Sequence, residues 1–392
     1  MRGEVAIVGY GETPVSRARV DKGEQRLTAE EYYAWAAELA LESAGLSKDD
    51  LEAQGLGVIG AEWPHSEIWS AEVVQNLGLN PKLLLRADHG GANAAALLLQ
   101  SAAAIHSGLV DTVLCVGADS PMSIQNGTYS RTWRYELDYE RPFGMMGPNS
   151  MVALIMRRHM YQFGTKPEQT GKISVTQRLH ASLNPNAYLK TPIKLDDYLN
   201  SRLISDPIRL LDACISVNGG LAFIVTSRKK ARRLTDKPVY VLGFGENHTC
   251  SRTDVTTTGI ADASRDAFKM AKVQKKDISF FQPYDDYSII VLMQLEDAGF
   301  CKKGDGGKFV EQTDLTVDGH LPVNTGGGQL SAGQPGMAGG FIHIVEAVRQ
   351  LRREGGKRQV KNARTGLVTG LGGLAFASNF ANYYTLILSS EV

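Results

Sequence analysis

Three short stretches combine polar side chains with glycines in arrangements that could support catalysis. The first is "LLLRADHGGANAAALLLQSAAAI" at residues 83–105, where an apolar strand ends in His89, Gly90 and Gly91 before a helix rich in alanine and leucine. Many enzymes hold a nucleophile at such a turn, because it exposes a side chain and the helix N-terminus stabilises an anion. The turn has no Ser, Cys or Thr. We therefore predict a space into which backbone N–H groups point, suited to an oxyanion but without a covalent handle.

The second stretch is "PYDDYS" at residues 283–288. We predict Tyr284 as a catalytic base or acid, although its ordinary pKa of about 10 requires nearby donors or positive charge for base chemistry at neutral pH. The alternative is a half-buried aromatic ring with a hydrogen-bonded hydroxyl. Adjacent residues of an extended segment point to opposite sides, so only one of Asp285 and Asp286 can face the site. We assign Asp285 to the site and expect the other aspartate to cap the helix at 288–299.

The third stretch is the glycine-rich loop "NTGGGQLSAGQPGMAGG" at residues 324–340. Asn324 and Gln334 carry neutral amides that could donate hydrogen bonds to an oxyanion, or could hold the loop through side-chain to backbone bonds. His89 is equally open: it is a base or a hydrogen-bond donor, or a structural histidine. The loop lacks the Lys-Ser/Thr ending of a nucleotide phosphate loop, and "GYGETP" near the N-terminus fails the dinucleotide-binding pattern. A dinucleotide site is therefore not expected.

Composition excludes several classes of protein. The chain has 392 residues, 42 Lys+Arg against 42 Asp+Glu, and 43% hydrophobic residues, which is typical of a soluble protein with a large core and no basic surface for nucleic acid. The longest apolar run is too short to span a bilayer, and the N-terminus does not resemble a signal peptide. Four cysteines without a CxxC pair favour neither a disulfide framework nor a zinc site. We expect a cytoplasmic protein with no metal site.

Each cysteine has a plainer interpretation than that of a nucleophile. Cys115 lies in an apolar strand, Cys214 in "LLDACIS" and Cys301 after "EDAGF", and we interpret all three as packing residues. Cys250 lies in a polar loop near His248 and is the only plausible reactive thiol, although a structural role is favoured there as well.

An internal repeat organises the elements that must position these residues. "EVAIVGYGE" at 4–12 matches "PVYVLGFGE" at 238–246, and each is a strand that closes on Gly-aromatic-Gly-Glu. In both halves the second matched element is an amphipathic helix followed by a strand. The third is a strand, a glycine turn and a helix, and the fourth is a buried strand that ends in glycine. Four matched elements in the same order predict two similar α/β halves related by a pseudo-two-fold axis. We place the N-terminal half at 1–120 and the C-terminal half at 231–392, with an excursion at 121–230 that ends the first half, covers the active site and forms part of an oligomer interface.

The repeat and the late glycine loop together resemble the thiolase superfamily, and in particular the branch of the sterol-carrier-protein-type thiolases. The resemblance covers essentially the whole chain and is most specific at 205–227, 280–307 and 323–340. It implies an α/β, thiolase-like fold in which two duplicated βαβ halves form a layered α-β-α-β-α core.

All four positions that carry thiolase chemistry are changed. In that family a Cys at the first strand-to-helix turn forms the thioester, a His heads an "HDCF"-like motif, a His in a "GHP" loop activates the Cys, and a second acid/base lies near the C-terminus. The corresponding positions here hold Gly90, Tyr284 and Gln334, and the last turn, 368–376, has no Cys. Because the thiolate is both nucleophile and leaving group in that route, covalent thioester chemistry of this kind is not expected.

Resemblance to a Cys-less subgroup implies a different reaction on the same class of substrate. Members of that subgroup cleave a branched β-hydroxyacyl-CoA by retro-aldol chemistry, typically in steroid side-chain degradation, together with a small partner protein made of an OB-fold and a zinc ribbon. The resemblance also implies a homodimer and no cofactor beyond the coenzyme A of the substrate. The residues expected to contact substrate or coenzyme A are Gly90, Gly91, Gly327, Gly328 and Ser331. Some members present a second tyrosine where this chain has Gln334.

Two alternatives to an aldolase remain open. A thiolase-fold subunit that lost its chemistry could hold a substrate or a partner as a scaffold, and a Claisen-type thiolase could use another cysteine. Convergence of the polar candidate residues on one cavity would favour an enzyme, since a dead site more often fills with apolar residues. Trp63, Trp69 and the aromatic residues of 129–139 either line a tunnel for a bulky acyl group or pack the dimer interface.

Overall fold

The computed structural model describes residues 1–60, 68–123, 136–145, 147–249, 254–374 and 380–392. The predictions for Trp63, Cys250 and residues 129–135 fall outside these ranges. The strands are β1 (Val5–Glu12), β2 (Gly55–Ile59), β3 (Leu83–Ala87), β4 (Thr112–Asp119), β5 (Leu203–Ser205), β6 (Ile208–Arg209), β7 (Gly219–Ser227), β8 (Val239–His248), β9 (Phe280–Gln282), β10 (Thr365–Leu374) and β11 (Phe380–Ser389). The helices are α1 (Ala29–Ala44), α2 (Trp69–Leu77), α3 (Asn93–His106), α4 (Pro148–Phe163), α5 (Pro167–Ser182), α6 (Leu195–Leu199), α7 (Arg228–Leu234), α8 (Ile260–Ala271), α9 (Ser288–Asp297), α10 (Gly306–Gln312), α11 (Gly328–Ser331) and α12 (Phe341–Leu351).

Nine strands form one mixed sheet in the order β3-β2-β4-β7-β1-β8-β11-β10-β9. In the N-terminal half, β2 runs parallel to β3 and β4, whereas β7 is antiparallel to β4 and β1. In the C-terminal half, β8, β11 and β10 form an antiparallel ladder and β9 runs parallel to β10. The two halves meet where β1 pairs with β8, at Ala6–Tyr240 and Ile7–Val239. The strands of the two α/β halves thus form one sheet, and the halves are joined at the short β1–β8 ladder. Two such halves are what the repeat predicts.

Two buried helices lie between the halves of the sheet. α3, which follows the glycine turn, contacts β2, β4 and β7 of the first half and also β10 and β11 of the second. α12 contacts β1 and β7 as well as β9 and β10. On the outer faces, α1 packs on β1 and β7, and α8 packs on β8 and β11. The layers therefore follow the predicted α-β-α-β-α order.

The repeated Gly-aromatic-Gly motif has the same packing role in both halves. A Cβ atom on Gly9 or Gly11 of β1 would lie 2.6 or 2.3 Å from a backbone carbonyl oxygen of α1. A Cβ atom on Gly243 or Gly245 of β8 would lie 2.2 or 2.1 Å from a carbonyl oxygen of α8. Because side-chain atoms do not approach a backbone oxygen so closely, only glycine lets each outer helix lie directly on its strand. This shared requirement explains the recurrence of the motif.

Local sequence sets where the helices begin and how they are buried. At α1 the Thr28 hydroxyl accepts the Glu31 N–H at 3.3 Å, while the Glu31 carboxylate accepts the Thr28 N–H at 2.7 Å. Gly45 ends that helix in the left-handed region, with φ at 64°. α3 is apolar on most of its surface, which suits a helix buried between two layers of strands.

The excursion leaves the first half after β4 and returns to it at β7, which lies between β4 and β1. It carries α4, α5 and α6 and the hairpin β5–β6. α5 packs against α9, α10 and α11 of the second half. The Tyr287 hydroxyl donates to Asn149 Oδ1 at 2.6 Å, which ties α4 to the start of α9. Within the described ranges, no helix is long and apolar enough to cross a membrane.

Candidate active site

A cleft of about 710 Å³ opens between the glycine turn of the first half and the excursion. Of the predicted residues, it brings together Gly90, Gly91, Tyr284 and Gln334. The excursion and the segments beside it complete the walls. Other lining residues relevant to chemistry or charge are Arg141, Arg202, Cys214, Asp286, Tyr287, Gly372 and Gly373. Residues from all three predicted parts of the chain therefore meet at one site.

Two glycine turns contact each other at the base of the cleft. Gly90 has a φ of 59°, and a Cβ atom on it would lie 2.9 Å from the backbone nitrogen of Gly373. A Cβ atom on Gly372 would lie 1.8 Å from the carbonyl oxygen of His89. These are the two turns at which the resemblance to thiolases places reactive side chains, and here the backbones are too close to admit one.

Tyr284 occupies the space beside the first turn. β9 ends at Gln282, and the Tyr284 side chain that follows is 5% exposed. A Cβ atom on Gly91 would lie 2.1 Å from Cζ and 2.2 Å from the hydroxyl oxygen of Tyr284. The turn therefore serves to admit a phenol: glycine at position 91 leaves the room that the Tyr284 ring fills, close to the start of α3.

The surroundings of Tyr284 keep its hydroxyl protonated. Burial, followed by the negative charge of Asp286, raises the pKa of Tyr284 well above its usual value. Hydrogen bonds with the side-chain amides of Gln329 and Gln334 act in the opposite direction without cancelling that rise. Of the two predicted roles, proton donor suits this phenol at neutral pH, because a base must first be ionised.

Asp286 faces the cleft. It is the one carboxylate that lines the cleft in the part of the chain that the structure describes. Its side chain is buried, and its Oδ1 atom has no hydrogen-bond partner among the described residues. Burial, and then the neighbouring Asp285 carboxylate, raises the pKa of Asp286 to about 8. A group with a pKa near the working pH can both accept and release a proton.

Asp285 points away from the cleft, opposite to the prediction. Its carboxylate accepts the backbone N–H groups of Gln329 at 2.9 Å and Leu330 at 3.4 Å, and lies 3.2 Å from Nε2 of His343. The expected cap on α9 is also wrong, since no side chain caps that helix and its N-terminal flanking residue is Tyr287. Asp285 thus faces the protein interior behind the cleft, where it caps helix α11 of the glycine loop.

Gln334 and Cys214 lie on the cleft wall and contact each other. Cys214 Sγ donates to Gln334 Oε1 at 3.1 Å, and the Gln334 backbone N–H donates to the Ile215 carbonyl oxygen at 2.7 Å. A β-bridge between Ser216 and Gln334 holds the two segments side by side. From the sequence we interpret Cys214 as a packing residue. The local sequence "LLDACIS" contains no signal that pairing with a distant loop brings this thiol to the cleft.

His89 and Asn324 lie outside the lining of the cleft. His89 Nδ1 is 2.7 Å from the Tyr384 hydroxyl, and its ring meets that of His248 edge-on at 5.3 Å between centroids. Burial, and then His248, lowers the pKa of His89. Asn324 is fully buried, and its carbonyl oxygen lies 3.1 Å from His180 Nδ1. Convergence of the polar candidates on the cleft is therefore confined to Tyr284 and Gln334.

The other predicted substrate contacts support the glycine loop from behind. A Cβ atom on Gly327 would lie 2.6 Å from α5, and one on Gly328 would lie 2.0 Å from the Asp285 carboxylate. Ser331 Oγ accepts a hydrogen bond from Arg178 Nε at 3.0 Å. None of these three loop residues lines the cleft. They fix the path of the loop that carries Gln334.

Comparison with known proteins gives the family. A family model described as "Thiolase C-terminal domain-like" matches residues 244–389. An acetyl-CoA acetyltransferase of Methanothermobacter thermautotrophicus is 33% identical over 344 residues, which cover 85% of this chain and 88% of the relative. The 17-hydroxy-3-oxo-4-pregnene-20-carboxyl-CoA lyase of Mycobacterium tuberculosis is 33% identical over 377 residues, which cover 90% of this chain and 92% of the relative. Among solved structures, the "Ltp2-ChsH2(DUF35) aldolase" superposes with a TM-score of 0.85 at 30% identity, over 99% of this chain and 98% of that one. The chain therefore belongs to the thiolase superfamily, in its sterol-carrier-protein-type branch.

Proposed function

We propose that this chain is an acyl-CoA aldolase that cleaves a branched β-hydroxyacyl-CoA into a shorter acyl-CoA and a ketone or aldehyde. One observation carries the proposal: the protonated phenol of Tyr284 is seated in the space beside Gly91, at a turn with no room for a nucleophile. The lyase and the aldolase among the similar proteins support it, whereas the similar acetyltransferase does not. The site itself must therefore discriminate between the two reactions.

Retro-aldol cleavage makes three demands that the cleft can meet. A base removes the proton of the β-hydroxyl group, and the Cα–Cβ bond breaks as the new carbonyl forms. The electron pair of that bond becomes a thioester enolate, whose oxygen the backbone N–H groups near Gly90 and the N-terminus of α3 can hold. Tyr284 then delivers a proton to Cα. No acyl-enzyme is formed, so no cysteine is required.

A Claisen reaction through another cysteine has little support. Burial raises the pKa of the Cys115 thiol and of the Cys301 thiol to about 12, so both stay protonated and inert. Cys214 lies on the cleft, where its thiol donates to Gln334. We expect a Cys214→Ser variant to retain turnover. Its complete loss of turnover, with an acyl group trapped on the wild-type thiol by mass spectrometry, would favour the Claisen reaction.

The first experiment is a cleavage assay on a panel of tertiary β-hydroxyacyl-CoAs, followed by mass spectrometry. Wild type, Tyr284→Phe and Tyr161→Phe would be compared; Tyr161 is 82% exposed on α4 and serves as the matched control. We expect wild type and the control to release a short acyl-CoA and a carbonyl compound. Tyr284→Phe should lose on the order of 10²–10⁴-fold in rate, the usual contribution of general acid catalysis. Binding of CoA esters without turnover in any sample would favour a scaffold instead.

The assembly that we propose is a cytoplasmic homodimer that works with a small OB-fold and zinc-ribbon partner. The support for a partner is the superposed aldolase, whose name includes a second component, ChsH2(DUF35). The cleavage assay would therefore be run with and without small proteins that co-purify with the chain. Light scattering over a range of concentrations tests the dimer, and a monomeric mass throughout would exclude it.

A further inference from the structure

The proposed reaction needs a base for the β-hydroxyl proton, and the cleft offers one carboxylate within the described part of the chain. We infer that Asp286 is the catalytic base that takes this proton. The inference rests on the proposed aldolase function and adds to it the residue that starts bond cleavage.

The backbone places Asp286 on the same wall as Tyr284. Both Tyr284 and Asp286 line the cleft, whereas Asp285 between them faces the glycine loop. A substrate held against the Gly90 turn would therefore meet a phenol and a carboxylate side by side.

The carboxylate of Asp286 has capacity to accept a proton. Its Oδ1 atom is buried and makes no hydrogen bond to any described residue. An unsatisfied buried acceptor is costly, so it persists where a ligand supplies the missing donor. The β-hydroxyl group of the substrate is such a donor.

The other groups that face the cleft are less suited to this task. Burial raises the pKa of Tyr284 and that of Tyr287 well above their usual values, so both phenols are protonated. The Cys214 thiol donates to Gln334, and the remaining charged lining residues, Arg141 and Arg202, are cations. Burial, and then the charge of Asp285, raises the pKa of Asp286 to about 8, and Asp285 itself lies behind the cleft wall. Activity should therefore rise with pH as Asp286 ionises and level off above about 8.

The proton and electron balance closes without a further reactant. Asp286 takes the hydroxyl proton, the C–O bond becomes C=O, and the Cα–Cβ electron pair passes to the enolate. Tyr284 protonates Cα, which leaves a protonated Asp286 beside an ionised Tyr284. Transfer of that proton from Asp286 to Tyr284, directly or through water, restores the starting state.

A pair of readouts separates this role from a structural one. Asp286→Asn should lose about 10²–10⁴-fold in cleavage rate. It should keep the Kd for the short acyl-CoA product within about threefold of wild type, since that product has no β-hydroxyl group for Asp286 to accept from, and its residual cleavage should lack the rise toward pH 8. Tyr284→Phe should lose cleavage to a similar extent and also keep product binding. Asp318→Asn, whose carboxylate is 69% exposed, is the matched control and should lose neither.

Each remaining outcome has a defined meaning. Cleavage by Asp286→Asn at the wild-type rate would overturn the inference and leave the aldolase intact. Loss of cleavage and of product binding together, in folded Asp286→Asn, would also overturn it, because a purely structural residue affects both. If Asp286→Asn does not fold, Asp286→Ala is tested with added formate, and restoration of cleavage by formate supports the base whereas its absence overturns it. Absence of cleavage by wild type itself would remove the proposed function and this inference with it.

Discussion

The contact between Gly91 and Tyr284 gives the sharpest test of how this site works. In Gly91→Ala the new Cβ atom would start 2.1 Å from the Tyr284 ring, whereas ordinary contact begins at 3.4 Å. The ring, which is buried on its other sides, must then move by more than 1 Å or push the turn aside. A misplacement of about 1 Å at a catalytic group costs on the order of 100-fold in rate, or about 2.7 kcal/mol in the barrier.

The assay for Gly91→Ala is kcat/KM for cleavage of a β-hydroxyacyl-CoA. The matched control is Gly219→Ala, where the nearest atom to the new Cβ lies at an ordinary 3.5 Å. Combined with Tyr284→Phe, Gly91→Ala should cost less than about tenfold more, because both changes disable the same proton donor and coupled residues are not additive. A folded Gly91→Ala enzyme within about threefold of wild type would refute the assignment of Tyr284 as the acid.

Three further predictions concern residues around the cleft. Because the pKa of Asp286 is about 8 in the folded protein and about 3.9 in an unfolded chain, the folded state holds an extra proton between those values. The free energy of unfolding should therefore fall as pH rises from 5 to 8, by up to about 1.4 kcal/mol per unit, and denaturant titrations of Asp286→Asn should lack that slope. Asp285→Ala leaves two backbone N–H groups of α11 without their acceptor and should lower the free energy of unfolding by about 1–3 kcal/mol for each, with Asp285→Asn milder in the same urea titration. His89→Gln should keep kcat/KM for cleavage within about threefold, since His89 bonds to Tyr384 outside the cleft lining; a loss as large as that of Tyr284→Phe would restore His89 to the catalytic set.

The overall fold was predictable because its signals are local and repeated. The glycines of "GYGE" and "GFGE" each meet a helix backbone, so the same close packing imposes the same residues twice. Alternation of strands and helices then sets the layers. The glycine turn at 90–91 and the position of Tyr284 after β9 follow from the same local order.

Parts of the site depend on contacts that no local pattern contains. Cys214 reaches the cleft because its segment lies alongside Gln334, which is 120 residues away in sequence. His89 turns toward Tyr384, a residue of β11 separated from it by 295 positions. Such long-range pairings decide which side of a turn a polar residue faces, and residue type alone does not reveal them.

The misassignment of Asp285 and Asp286 is different, since the sequence held the signal. Side chains two apart in an extended segment share a side, so placing Tyr284 in the site already places Asp286 there and turns Asp285 away. Residue type alone favoured neither aspartate.

The absence of a side chain at the glycine turns and the placement of the Tyr284 phenol are one structural feature. A side chain at 91 would occupy the position of the Tyr284 ring, one at 90 would press on Gly373, and one at 372 would collide with the backbone at His89. A cysteine installed at any one of these positions therefore meets either the phenol or another backbone. The same contacts that exclude a side chain there hold the Tyr284 phenol beside the turn, so in the proposed aldolase these glycines position the proton donor.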